Sequence, residues 1–186
     1  MMDALLAQVE ALHRATPALS GFGNWPSDLQ VAHKAPVPCP ATALIDALPN
    51  DHPMTTAIKA AAPFAEWRRT YSADEVGQDF LNRYGYFELF GPHGHFHSRQ
   101  LRGYIAFWDA GLDYGWHHHA AEELYFSLQG EPHFTSKSKP DATIAPGETW
   151  HHALWEVHGM QTLDTPFLCY ALWKGPGLAD LPQMSA

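Results

Sequence analysis

Two histidines and a glutamate, flanked by two glycines, constrain this 186-residue chain more than any other feature. Their spacing is G-x5-H-x-H-x3-E-x6-G, formed by Gly111, His117, His119, Glu123 and Gly130. Because side chains alternate between the faces of a β-strand, both histidines share one face, and Glu123 has the same parity. Two imidazole nitrogens and a carboxylate oxygen suit a divalent ion such as Zn, Fe, Mn, Ni or Co, with a further ligand from elsewhere.

An exposed polar turn is the simpler explanation for the run His117-His118-His119 taken by itself. The residues that follow argue against it, because Leu124, Tyr125, Phe126 and Leu128 are apolar or aromatic and predict a half-buried strand that ends at Gln129-Gly130. Tyr125 has the parity of Glu123, so four groups able to bind a metal are expected on one face. We therefore predict a metal site in this segment.

The composition excludes two classes of partner. A formal charge of -9, with only 11 Lys and Arg, argues against nucleic acid, which needs clustered cations. No stretch approaches the roughly 18 consecutive apolar residues of a membrane helix.

The amino terminus lacks the basic and apolar segments of a secretory signal, and Cys39 and Cys169 lack C-x-x-C spacing. We expect a cytoplasmic protein with two free thiols.

The first part of the chain reads as helical. Leu5, Leu6, Val9 and Leu12 predict an amphipathic helix over 2–16, which would pack on the rest of the protein or on a second subunit in a homodimer. The proline-rich stretch 21–40 predicts an ordered loop. Further short helices are expected at 42–48 and 54–62, and from a capping box that starts at Ser72 up to about residue 84.

The second part of the chain reads as strands. Short segments rich in aromatic and branched residues, separated by Gly, Pro or Asp, predict strands at 86–90, 101–110, 123–128, 133–135, 160–163 and 167–173. Closely spaced strands of this kind favour a small antiparallel barrel. We expect one structural unit, with a helical extension over 1–84 packed on a metal-binding barrel over 85–186.

The histidine and glutamate spacing resembles the first metal-binding motif of the cupin superfamily. This resemblance implies a mainly β protein, a jelly-roll β-barrel preceded by the helical region, and a histidine ligand from a second motif, P-x-G-x-x-H-x3-N in outline. Pro146-Gly147 match its turn, but His151, His152 and His158 all follow, and no asparagine does. In cupins the ligand stands close before the last core strand. The resemblance therefore favours His158. The simpler explanation for His151 and His152 is that they lie in a solvated loop.

Another alternating set, His93, His95 and His97, lies between two predicted strands. Glycine and proline around these residues favour a turn, and no carboxylate lies at a ligand offset. We do not expect a second metal site there.

A narrower resemblance rests on three segments. They are Asp-Tyr-Gly-Trp-His-His-His-Ala-Ala-Glu-Glu-Leu-Tyr at 113–125, Trp-Glu-Val-His-Gly-Met at 155–160 and Leu-Cys-Tyr-Ala-Leu-Trp at 168–173. These segments are similar to the cupin-type dimethylsulfoniopropionate lyases, which form dimethyl sulfide and acrylate by β-elimination. The resemblance implies Tyr125 or Tyr114 as the catalytic base. It implies a metal set of His119, Glu123, Tyr125 and His158, with His117 close by or ligating.

The chemistry of this elimination agrees with the residues present. A divalent ion that binds the substrate carboxylate would stabilise the developing negative charge, and contact with it would favour the phenolate of Tyr125. The sulfonium end is a fixed cation that cannot donate a hydrogen bond, so aromatic faces are its natural partners. The aromatic residues near the motifs that could form such a box are Trp116, Trp155, Tyr104 and Trp108.

Two other functions are compatible with the same motif. An iron dioxygenase would use the same metal ligands but would consume oxygen. A lyase would not consume oxygen. A non-catalytic cupin would bind a small molecule without turnover and would not need an ionisable tyrosine at position 125.

Overall fold

The computed structural model describes residues 1–185, in which six α-helices precede or border two β-sheets. The helices are α1 (Met2–Ala15), α2 (Pro17–Phe22), α3 (Thr42–Ala47), α4 (Pro53–Ala61), α5 (Ala73–Val76) and α6 (Gln78–Arg83), with a 3-10 turn at Ala62–Phe64. Within residues 1–185 no helix combines the length and the apolar character that crossing a membrane requires.

The helices predicted at the start of the chain, at 42–48 and at 54–62 are confirmed as α1, α3 and α4. The capping box also forms, because Glu75 accepts from the main-chain N–H of Ser72. The predicted helix from there to residue 84 is broken, however, at Gly77, whose φ of 83° lies in the left-handed region. Glycine adopts this conformation without a Cβ clash, so it ends α5 and α6 starts afresh.

The larger sheet has seven strands in the order β1-β3-β2-β4-β11-β6-β9. They are β1 (Gln30–Val31), β3 (Phe96–His97), β2 (Tyr84–Gly91), β4 (Arg102–Trp108), β11 (Phe167–Lys174), β6 (Glu122–Gln129) and β9 (Thr149–His152). Neighbouring strands are antiparallel except β2 and β3. The stretch 21–40, expected to be a loop, thus supplies an edge strand as well as the end of α2.

The smaller sheet has five strands in the order β12-β5-β10-β7-β8, all antiparallel. They are β12 (Gln183–Met184), β5 (Asp113–His118), β10 (His158–Gln161), β7 (His133–Ser136) and β8 (Ala142–Thr143). Its inward side chains, among them Tyr114, Phe134 and Met160, share a core with Tyr125 and Trp173 of the larger sheet. The two sheets therefore enclose a barrel interior.

The central strands of the larger sheet are buried on both faces. Every residue of β2 and β4 is buried. On the outer face, Leu5 and Val9 of α1 and Ile58 of α4 share a core with Phe87 and Phe107 of the sheet. The apolar side of α1 is therefore covered within the chain itself, and the inner face of the sheet is left to line the barrel.

Both glycines of the metal motif stand at turns that require them. Gly111 has a φ of 72° and Gly130 a φ of 91°, a region that disfavours residues with a side chain. A Cβ at Gly130 would also collide with the carbonyl oxygen of Pro166. These turns begin and end the segment that carries β5 and β6.

Candidate metal centre and adjoining cavity

Glu123 of β6 is the centre of the site. Its Oε1 accepts a hydrogen bond from Trp173 Nε1 at 2.7 Å, while Oε2 lies 3.1 Å from His119 Nε2 and 3.5 Å from His158 Nε2. Burial raises the pKa of this carboxyl, but its contacts with His119 and His158 more than offset burial and hold the pKa well below its usual range. Glu123 is therefore a buried carboxylate.

The three histidines around Glu123 are oriented in the same way. Each ring donates from Nδ1 to a main-chain carbonyl, His119 to Ala121 at 2.9 Å, His158 to Glu156 at 2.8 Å and His117 to Gly115 at 2.9 Å. A carbonyl oxygen only accepts, so the proton of each neutral ring is on Nδ1 and Nε2 carries a lone pair. This is the arrangement that metal-binding histidines adopt in proteins.

The facing lone pairs fit a divalent cation. The ligand atoms of His119, Glu123 and His158 all lie within 4.8 Å of one another, and the three side chains are buried. Nε2 of His158 is buried without a hydrogen-bond partner. Neutral rings would offer Glu123 Oε2 no hydrogen, so a positive ion among these atoms would remove the mismatch. Two nitrogens and one oxygen suit a first-row divalent ion.

His117 lies beside this group without belonging to it. Its ring centroid is 4.1 Å from that of His158 and 6.4 Å from that of His119. Burial, together with the neighbouring His158, lowers the pKa of His117 well below its ordinary value, so its imidazole is neutral. The prediction for His117 was a position close to the metal or direct ligation of it. The structure places His117 close to the centre.

Tyr114 reaches the interior because β5 is bulged. His117 pairs with His158, but Tyr114 pairs with Met160, so β5 has two residues where β10 has one. The extra residue cancels the alternation of side chains, and Tyr114 and His117 both point inward with their rings stacked at 3.9 Å. Trp116 points outward.

Tyr125 lies on the same face of β6 as Glu123 and lines the same cavity, as predicted from their parity. Its side chain is buried between the two sheets. Burial raises the pKa of its phenol well above the ordinary value, and the negative charge of Glu123 raises it further. A positive ion bound at Glu123 would instead lower the pKa of the Tyr125 phenol.

The cavity next to Glu123 has aromatic walls. Including the part open to solvent it measures about 390 Å³. Tyr104 and Trp108 line it, as expected. Trp116 and Trp155 do not, and this part of the prediction is corrected: they are 38% and 59% exposed, one facing outward at the β5 bulge and the other on the β9–β10 loop.

Several residues of the site were missed by sequence reasoning. Tyr84, Tyr86 and Trp173 complete the aromatic wall, and alternation along β2 could have indicated the first two. Tyr71, from the segment before α5, donates or accepts a hydrogen bond with the Tyr114 hydroxyl at 2.5 Å. No local pattern connects Tyr71 with a residue 43 positions away.

The two histidines expected in a solvated loop lie in β9 instead. His151 is exposed, but His152 is fully buried, because successive residues of the strand face opposite sides. His152 pairs in register with Glu123 and stacks on His158 with ring centroids 3.6 Å apart. His152 therefore lies against His158, on the outside of the ligand group.

His158→Ala should abolish stable metal binding, whereas His152→Ala should still hold the ion when metal is in excess. The reason is that only His158 offers an atom to the group formed with Glu123. Metal content after equilibration and gel filtration, measured by elemental analysis, checks this ranking. The reverse ranking would move the ligand to β9.

Two histidines of the alternating set between β2 and β4 bond to the main chain. Nε2 of His95 accepts from the main-chain N–H of Glu66, and His97 donates from Nδ1 to the carbonyl of Pro92. In residues 1–185 the only group of histidine, cysteine and carboxylate side chains with metal-binding geometry is the one at Glu123.

Comparisons with a family model, with known sequences and with solved structures agree with one another. The family model of dimethylsulfoniopropionate lyase matches residues 23–169. Dimethylsulfoniopropionate lyase DddQ of Ruegeria pomeroyi is 37% identical over 179 residues, which are 92% of this chain and 88% of DddQ. A chain from the crystal structures of the DMSP lyases RdDddP and RnDddQII has a TM-score of 0.96 at 41% identity, covering 100% of this chain and 97% of that chain.

A more distant structure bears on the fold alone. The cupin-2 domain Rru_A2000 from Rhodospirillum rubrum has a TM-score of 0.52 at 13% identity, covering 67% of this chain and 77% of that one. Together with the two facing sheets, this likeness confirms the predicted cupin fold with a helical region before the barrel.

Proposed function

Because this chain belongs to the dimethylsulfoniopropionate lyase family, we propose that it cleaves dimethylsulfoniopropionate (DMSP) by β-elimination into dimethyl sulfide and acrylate. The observation that carries the proposal is that one cavity joins three elements. These are Glu123 of the ligand group, the Tyr125 phenol on the same strand, and walls of aromatic rings.

His119, Glu123 and His158 would hold a divalent ion, with Tyr125 and His117 next to it. Main-chain carbonyls fix the rings of His119 and His158, and Trp173 fixes Glu123, so the protein itself orients each ligand atom. When bound, the ion supplies Lewis acidity for the substrate carboxylate and favours the ionised state of Tyr125.

Tyr125 is the proposed base. In its ionised form, Oη takes the proton from the carbon next to the substrate carboxylate. The electron pair of that C–H bond forms the new double bond of acrylate, and the C–S bond breaks with its electron pair moving to sulfur. Sulfur leaves as neutral dimethyl sulfide, and the proton remains on Tyr125 Oη. The base must then release it to solvent before the next turnover.

The aromatic walls are suited to the sulfonium end of DMSP. Tyr104 and Trp108 lie on β4 with their rings in the cavity, and Tyr86 packs edge-on against Tyr104 at 5.5 Å. Ring faces attract a cation by about 0.5 to 2 kcal/mol each, more strongly where water is excluded. The same burial excludes water from the carbon that loses its proton.

Purified protein incubated with DMSP should release dimethyl sulfide into the headspace, and a chelator should stop the release until a divalent ion is restored. The rate should be the same with and without oxygen, because no electron leaves the substrate. Gas chromatography measures the product. Dependence on oxygen would support a dioxygenase instead, and tight binding without product would support a non-catalytic cupin.

A further inference from the structure

Glu156, on the β9–β10 loop, has a buried carboxylate and contacts two histidines at the metal centre, His158 and His152. The main-chain oxygen of Glu156 accepts the Nδ1 proton of His158 at 2.8 Å. Its side chain accepts hydrogen bonds from Ser136 Oγ at 2.6 Å and from the main-chain N–H of Ala153 at 2.7 Å, and Oε1 lies 3.4 Å from His152 Nδ1. One residue therefore connects both histidines that stack on each other.

The stacking limits how His158 can move. The rings of His152 and His158 are 17° from parallel with centroids 3.6 Å apart, and neither side chain is exposed to solvent. His158 is thus held at its edge by the Glu156 carbonyl and at its face by His152. His152 is held in turn by the Glu156 carboxylate.

The same loop also contacts the other histidine of the centre. The main-chain N–H of Trp155 donates to the carbonyl oxygen of His119 at 2.9 Å. Trp155 has a φ of 60°, a conformation that is rare for a bulky residue and persists only where the surroundings enforce it. The loop between β9 and β10 is therefore fixed to both sides of the centre.

We propose that Glu156 and His152 are positioning residues, a buried pair that aligns His158 for the divalent ion without binding the ion itself. The inference rests on the metal centre in the proposed function. It assigns a role to two residues outside the group of ligand atoms within 4.8 Å. Partners of this kind commonly change metal affinity by about 10-fold to 100-fold.

The chain contains a matched control for Glu156. Glu148 closes the preceding loop in the same way: its side chain accepts from the N–H of Ala145 at 2.8 Å, and its own N–H donates to the Ala145 carbonyl at 3.0 Å. Glu156 makes the same two contacts with Ala153, at 2.7 and 3.1 Å. Glu148 differs in that it is exposed and its side chain contacts no histidine.

The test is the dissociation constant of Co²⁺ and Zn²⁺ for metal-free protein, measured by competition with a chelator, together with the visible spectrum of bound Co²⁺. Glu156→Ala and His152→Ala should each weaken binding by about 10-fold to 100-fold and shift the Co²⁺ bands. Glu148→Ala should leave both unchanged. The double variant should lose less than the product of the single losses, because the two residues act as one unit.

Unchanged affinity and Co²⁺ spectrum in Glu156→Ala, in protein that is folded by circular dichroism, would overturn the inference. A merely structural role would lower the melting temperature of the metal-free protein without changing either readout. If Glu156→Ala does not fold, Glu156→Gln, which keeps one accepting oxygen, should bind with intermediate affinity; wild-type affinity would overturn the proposal. Failure of the unaltered protein to bind any ion would reject the metal centre itself, which is a different result.

Discussion

Tyr125→Phe should lower kcat for DMSP cleavage by at least about a hundredfold, a typical loss for a general base. The substitution removes one oxygen and leaves the ring between the two sheets, so the destabilisation should stay below about 1.5 kcal/mol. His119, Glu123 and His158 remain, so most of the bound ion should be retained. Steady-state release of dimethyl sulfide and elemental analysis of the same sample measure both parts of this expectation.

Tyr114→Phe is the control for the other candidate base. The Tyr114 hydroxyl shares a hydrogen bond with Tyr71 at 2.5 Å, whereas Tyr125 lies on the same strand face as Glu123, next to the ligand group. We therefore expect a smaller loss of kcat than in Tyr125→Phe. Near-normal turnover by both single variants and by the double variant would exclude a tyrosine base and point to His117 or a hydroxide ion.

His119→Ala and Glu123→Ala should each lose most of the bound divalent ion and, with it, the lyase activity. Each substitution removes one of three groups that converge on the same point, and fewer ligands bind a first-row ion much more weakly. Both variants should remain folded, because the barrel core consists of other, mostly aromatic and apolar side chains. Elemental analysis after dialysis, with circular dichroism, provides the measurement.

His118→Ala serves as the matched control for these two variants. His118 is the neighbour of His119 in the sequence, but its Nδ1 contacts Ser185 Oγ at 2.9 Å, outside the ligand group. It should keep the ion and the activity. Full metal occupancy in His119→Ala and Glu123→Ala would show that the ion is held elsewhere.

Local sequence patterns predicted the part of the site that lies on one regular strand. Glu123 and Tyr125 are two residues apart on β6, so alternation alone places both in the barrel. The same rule fails for Tyr114 and His117, which are three residues apart and both face inward. A bulge depends on pairing with the partner strand, and no periodicity within β5 reveals it.

The remaining contacts depend on long-range packing. Trp173 meets Glu123 because β11 and β6 are neighbours in register, although the two residues are 50 positions apart. His152 was expected in a solvated loop, yet pairing with β6 buries it. Helix positions were easier to predict, since α1 and α4 depend on spacing within one segment.

The bulge in β5 means that the site is specified by strand pairing as well as by side chains. Tyr114 and His117 are three residues apart, so without the bulge strict alternation would turn one of the two to the surface. Every side chain of the centre would still be present in such a chain, and its composition would be the same. Anyone transferring this centre to another barrel would have to copy the irregular strand, because the side chains alone do not decide which of them reach the interior.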